Sequence, residues 1–193
     1  NGVQVEINNA KGRKEPATVK VIDFNDSKQN DYLVVSQLWI QGQFIRRRPD
    51  LIVFINGIPL IFIELKNSNI ALRNAYEDNL TNYRKDIPLL FHYNALCMLS
   101  NGIETKVGSF NSGYGHFFNW LRPESEKNEP DKERIQQYGV SLDYAVLGLC
   151  EKKRLLDYFD NFLLYYNDVV KIAAKNHQFL GVNNAVDNFS VRL

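Results

Sequence analysis

The sequence predicts an α/β protein: a mixed central β-sheet flanked by helices, followed by a helical C-terminal tail. Three observations predict it. Five strand-like runs precede any helical pattern. Two of them, LIVFI at 51–55 and IPLIFI at 58–63, are continuously apolar around an Asn56-Gly57 turn. The apolar period then changes to helical spacing after Ser68, and a further buried run follows at 95–99. Strands first, then a helix leading back to a strand, describe a crossover onto one sheet. Residues 1–121 read as the core, 122–141 as a loop or linker, and 142–193 as a helical segment.

Residues 3–7 alternate and read as a strand, 8–16 as a polar turn containing Gly12, and 19–24 as a second strand completing a hairpin. Residues 32–40, YLVVSQLWI, read as a third, mostly buried strand. A turn at 41–43 leads through Phe44–Arg48 into the central pair. Asn-Gly between two apolar runs is the strongest short hairpin signal, and runs without polar alternation are covered on both faces.

Charge enters this hairpin only at its ends, as Pro49-Asp50 before it and Glu64-Leu65-Lys66 after it. Two carboxylates and an ammonium at the rim of a buried sheet are costly unless something binds them. Register decides whether they meet. A plain two-residue loop pairs Ile55 with Ile58 and Asp50 with Ile63, so Asp50 and Glu64 point opposite ways. A three-residue loop, or a bulge at Pro59, brings Asp50, Glu64 and Lys66 to one face. An odd loop or a bulge is therefore expected.

From 68 to 85, Leu72, Ala75, Tyr76, Asn79, Leu80 and Tyr83 form one helical stripe, ended by Asp86 and Pro88. Asn79 is its one amide, one turn before Tyr83. It either bonds neighbouring backbone or, with Tyr83, faces the rim cluster or a nucleic acid. Asn101-Gly102 turns the 95–99 strand into 103–110. The Gly- and aromatic-rich 112–120 reads as a loop over the sheet edge, with a base-stacking platform as the alternative. Residues 122–134 are charged and contain Pro123 and Pro130, which suits a surface loop. Helices are expected at 142–149, 151–166 and 175–189, with a short strand at 169–173.

Composition narrows the function. Lys and Arg number 23 against 22 Asp and Glu, so no global basic field attracts nucleic acid. DNA binding would rest on local patches such as Arg46-Arg47-Arg48, whose plainer reading is a solvated strand end. Cys97 and Cys150 lie in apolar runs and read as reduced core residues of a cytoplasmic protein. No signal peptide or membrane span is visible. The chain begins with Asn and its last stretch looks unfinished, which reads as a fragment.

An acid two residues before a lysine occurs four times, at Asp26/Lys28, Glu64/Lys66, Glu104/Lys106 and Glu151/Lys153. Only Glu64/Lys66 ends a long buried strand whose hairpin partner opens with Pro-Asp. That context suits metal-dependent phosphodiester cleavage. Carboxylates and a backbone carbonyl are the hard oxygen ligands that magnesium takes, and Lys66 could orient a water or stabilise developing negative charge. The plainer reading is an Asp50–Lys66 salt bridge.

The stretch RRPDLIVFINGIPLIFIELKN resembles the PD-(D/E)xK nuclease core of the R subunit of type I restriction enzymes. IDFNDSKQNDYLVVSQ, YRKDIPLLF and SNGIETKVGSF extend the resemblance, and HQFLGVNNAV is similar to the segment before that subunit's helicase motor. The resemblance implies a restriction-endonuclease-like fold. It implies that Asp50 and Glu64, with the Leu65 carbonyl, hold Mg2+ and that Lys66 is catalytic. Asn79 and Tyr83 fall on a Gln-x-x-x-Tyr motif that contacts DNA, with Asn in place of Gln. Gln178 falls on the adenine-reading glutamine of the full-length subunit. The implied partners are double-stranded DNA and the methylation and specificity subunits, with ATP used by the full-length motor. The phosphate-binding G-x-x-x-x-G-K-[ST] pattern does not occur in this chain. The rival reading is a catalytically silent DNA-binding or subunit-docking module of the same fold.

Overall fold

The computed structural model describes residues 2–167 and 170–190. Asn1, Val169 (where the short strand was expected to begin) and 191–193 of the expected tail lie outside them. The chain opens with an antiparallel ribbon of its own, β1 (Val3–Asn8) and β2 (Lys14–Val19). The second strand therefore starts five residues before the expected 19–24. Asn9 explains the shift: its side-chain oxygen accepts from the N–H groups of Lys11 and Arg13 at 2.9 and 3.0 Å and closes the turn early.

β3 (Tyr32–Ser36) comes next, then a second small ribbon of β4 (Ile40–Gln41) and β5 (Arg46–Arg47). β6 (Leu51–Ile55) and β7 (Ile58–Leu65) are the expected hairpin. A helix follows. Its first part, Ala75–Leu80, is π-helical and its second is α1 (Thr81–Asp86). It starts later than the expected residue 68. β8 (Leu96–Ser100), β9 (Thr105–Gly108) and the short β10 (Phe118–Asn119) complete the sheet. Six strands lie in the order β10-β9-β8-β7-β6-β3. Only β7 and β8 run parallel, joined by the helical crossover, so the sheet is mixed.

β7 is as buried as its unbroken apolar run requires. β3 is not: it is the sheet's edge, and Leu33 and Val34 are more than half exposed. Its apolar run matched the central strands in character, and run composition alone does not separate an edge from a centre.

The hairpin contains the expected irregularity. Asn56 and Gly57 both have positive φ, 51° and 79°, which is the backbone of a tight two-residue turn. Ile55 pairs with Ile58 and Phe54 with Pro59, but Val53 then pairs with Ile61. Leu60 is the extra residue of a β-bulge beside the proline, which cannot donate to the ladder. Its carbonyl accepts instead from the Ala95 N–H at 2.7 Å and from the buried Asn94 amide at 3.2 Å.

Alternation along β7 and β8 sorts two apolar layers. Ile61, Ile63, Leu96 and Met98 face one layer, which contains Trp120, Leu149, Leu155, Tyr158 and Phe179. Phe62, Cys97 and Leu99 face the other, with Leu72, Ala75, Leu80, Tyr83 and Phe91. The C-terminal part consists of α2 (Lys132–Tyr138), α3 (Ser141–Leu149), α4 (Lys152–Asn161), the ribbon β11 (Leu163–Tyr166) and β12 (Val170–Ala173), and α5 (Asn176–Ser190), and all of these but α2 contribute side chains to the first layer.

Three expectations need correction here. Residues 132–138, read as loop, are helical, because Asp131 caps the Arg134 N–H at 2.9 Å and Gly139, at φ 65°, ends the turn. The helix expected over 151–166 stops at Asn161, and Leu163–Tyr166 pair with Val170–Ala173. Two Leu and two Tyr in succession favour an extended ribbon once the buried stripe ends at Phe162. On α5 the expected stripe is only partly covered: Phe179 is buried, whereas Val182 and Phe189 are 51% and 72% exposed. Cys97 and Cys150 are free thiols. No described helix is long and apolar enough to cross a membrane.

Candidate active site

Leu51 pairs with Ile63, so the next cross-strand pair outward is Asp50 with Glu64. The bulge at Leu60 brings these two carboxylates to one face. It makes them direct neighbours rather than the diagonal pair that a longer loop would give. Lys66 lies two residues beyond Glu64, where its backbone continues the ladder through an N–H bond to the Ser100 carbonyl at 2.7 Å. By alternation its side chain shares the Glu64 face.

Glu64 is 3% exposed. Its Oε1 accepts a short hydrogen bond from the Asn79 amide. Its Oε2 is buried with no hydrogen-bond partner. Burial, then the nearby Asp50 charge, push this carboxyl up to about 8, with Lys66 acting in the opposite sense. An orphaned, acidic oxygen inside a protein is expensive, on the order of 1–3 kcal/mol.

Asp50 is held by two donors. The Leu65 N–H gives 2.8 Å to Oδ2, and the Gln37 side chain gives 2.7 Å to Oδ1. No ion pair joins Asp50 to Lys66 within 4 Å, so the plain salt-bridge reading of this rim does not describe it. Leu65 enters the site through its N–H.

The helix brings the second group of residues. Thr81 N–H bonds the Tyr76 carbonyl five residues back, so the turn that carries Asn79 is widened. π-turns of this kind concentrate at functional sites. Asn79 reaches Glu64 and also lies 3.4 Å from the Tyr83 hydroxyl. Burial first, then the Glu64 charge, raise the Tyr83 hydroxyl above its usual value, while Asn79 and Arg47 oppose them. Of the two readings of Asn79, the geometry selects the one in which it faces the rim cluster.

The arginines divide. Arg47 donates to Asp86 at 2.6 Å and lies 5.7 Å from the Tyr83 ring centre. Arg46 and Arg48 both lie over the Trp39 ring, at 4.5 and 5.0 Å. Gln178 is remote from this cluster: it sits on α5, where its Oε1 accepts from the Lys175 N–H at 2.8 Å.

One participant was not anticipated. Gln37 has φ 54°, rare for a residue with a side chain. Its backbone N–H bonds the Asp50 carbonyl at 2.9 Å while its side chain bonds the carboxylate. The register Ser36 with Leu51 puts Gln37 opposite Asp50. Pairing the third strand with the hairpin would have found it.

The donor set fits a hard divalent cation. Two carboxylates stand side by side, and one carries an unpaired buried oxygen. Among the described residues no cluster of three His, Cys, Asp or Glu is present. A cation here would complete its shell from a backbone carbonyl and water, as Mg2+ does.

Comparison with known proteins gives a consistent assignment. Residues 1–116 match the family model described as the type I restriction enzyme R protein N terminus. A Methanocaldococcus jannaschii protein assigned as the MjaIXP endonuclease subunit of a type I restriction enzyme is 37% identical, over 97% of this chain and 19% of that relative. The type I restriction enzyme HindI endonuclease subunit of Haemophilus influenzae is 34% identical, over 97% of this chain and 18% of its own length. The chain thus spans about a fifth of the curated relatives it matches. A family model covering more than half of the chain decides the matter: the protein belongs to the family of type I restriction enzyme R protein N-terminal regions.

Proposed function

We propose that this chain is the endonuclease module of a type I restriction R subunit. It would cut double-stranded DNA with Mg2+ after the full complex, containing methylation and specificity subunits, has translocated DNA at the expense of ATP. The observation that carries this reading is the buried, unpartnered Oε2 of Glu64 beside Asp50, on the face shared with Lys66. Asp50, Glu64 and the Leu65 carbonyl would hold the metal. Bound Mg2+ supplies a water of lowered pKa and charge for the phosphate oxygens. Asn79 keeps one Glu64 oxygen occupied and leaves the other free. Lys66 would orient the attacking water or stabilise the negative charge that develops on the phosphate oxygens. Tyr83, Arg46 and Arg48 are candidate contacts to the DNA strand, with Arg47 supporting them through Asp86. Gln178 is assigned to adenine reading in the full-length subunit.

The test uses the reconstituted complex. Asp50→Ala and Lys66→Ala should each lower DNA cleavage by at least about a hundredfold, and Asp50→Ala should also weaken Mn2+ binding. Cleavage and metal binding that stay at wild-type level in both variants would make the domain a silent binding module. Gln37→Ala gives a graded result. Residues that orient a metal ligand typically change affinity or activity 10- to 100-fold. Cleavage by this variant should therefore fall by about that factor and recover partly at raised Mn2+, as a metal titration of the rate would show.

A further inference from the structure

We propose that the β4–β5 ribbon is a DNA wedge and that Phe44 inserts into the base stack of a duplex. That the wedge acts beside the bond to be cut rests on the endonuclease reading. Gln43 and Phe44 form the ribbon's tip, closed by the Gly42 N–H on the Ile45 carbonyl at 3.0 Å. Phe44 is 85% exposed, and Ile45 and Leu89 beside it are 48% and 80% exposed. Together with Lys85 they line a cavity of about 480 Å³.

The tip is displayed rigidly. Gly42 lies so close to the end of α1 that an added Cβ would sit 1.8 Å from the Asp86 carbonyl oxygen. Arg47, on β5, clamps the Asp86 carboxylate. The ribbon is therefore fastened to the same helix that brings Asn79 to Glu64. Phe44 is six residues from Asp50, so at most about 20 Å of chain separates them. That is less than one turn of a DNA duplex, about 34 Å.

Charge chooses the occupant. Arg46 and Arg48 are exposed, share the Trp39 ring, and have no carboxylate within 4 Å among the described residues. An apolar tip with two unneutralised guanidinium groups gathered on one ring just behind it complements a partner with a flat apolar interior and an anionic envelope, which describes a nucleic-acid duplex. Apolar wedges flanked by basic residues enter base steps and kink the helix in this way. A protein groove would have to offer an acidic rim around an aromatic pocket.

The test places photoreactive benzoylphenylalanine in place of Phe44 in the full-length R subunit, in an Asp50→Ala background, assembled on duplex DNA with ATP. Irradiation should join the subunit to DNA. Adding Gly42→Val, which pushes the ribbon off Asp86, should reduce that adduct at least fivefold. Adducts only with a partner subunit, with the rest of the R chain or with a second copy would overturn the wedge, as would no adduct. The adduct does not depend on cleavage: an Asp50→Ala enzyme that still cuts would sink the nuclease reading and leave the wedge standing. In the unlabelled enzyme, Phe44→Ser should cut at least tenfold more slowly and Phe44→Trp close to wild type. Equal rates for Phe44→Ser and wild type would also overturn the proposal.

Discussion

Replacing Glu64 by Gln should abolish cleavage and, in metal-free buffer at pH 8, raise the melting temperature. The two effects have one cause. Unfolded, this carboxyl ionises near 4.5, and in the fold it ionises at about 8. Between those values the unfolded chain has released a proton that the native protein retains. Native stability therefore falls as pH rises from 4.5 to 8 and levels off above that. At the top of the window the loss amounts to roughly 3–5 kcal/mol. A glutamine keeps the oxygen that Asn79 bonds and has no charge to bury. Glu64→Gln should melt about 5 °C or more above wild type at pH 8 and close to it at pH 4.5. Mg2+ should reverse the order by stabilising only the chain that holds it. Calorimetry at the two pH values, with and without Mg2+, checks all three statements. A metal-free variant less stable than wild type at pH 8 would show that burial of this carboxylate carries no such ionisation penalty.

Phe62→Ala should be the most destabilising simple truncation near the site. Phe62 is fully buried, edge-on to Tyr83 at 5.9 Å and tilted against Phe91 at 5.5 Å. Removing a buried aromatic ring costs about 3–5 kcal/mol through lost burial and the cavity left behind. In a chain of this length that lowers the melting temperature by roughly 10 °C. Phe62 also backs the helix that presents Asn79, so cleavage should fall even below the new melting point. Phe62→Leu should recover most of the stability. Denaturant titration measures the first effect and cleavage at low temperature the second.

Much of the site was legible in the sequence because a strand has only two faces. Counting residues between Asp50 and Glu64 required an irregularity, and Leu60 supplies it next to the proline that marks the place. The helical stripe likewise placed Asn79 and Tyr83. Three things were less legible, each for a physical reason. Gln37 meets Asp50 across a strand pair, which no local pattern reports. The exposure of β3 depends on its position at the sheet's edge, whereas its composition is that of an interior strand. The ribbon of Leu163–Tyr166 prolongs an apolar stripe that fits a helix equally well, and only its pairing with Val170–Ala173 decides between them.

β7 is a party wall between two packed rooms. Ile61 and Ile63 press on the layer that receives Phe179 and Leu180 of α5, while Phe62 and Glu64 project into the opposite side. Matter this dense does not absorb displacement locally. Glu64 is thus held in a strand whose other face carries the packing of the C-terminal helices, and a volume change in that packing bears on the strand that carries it.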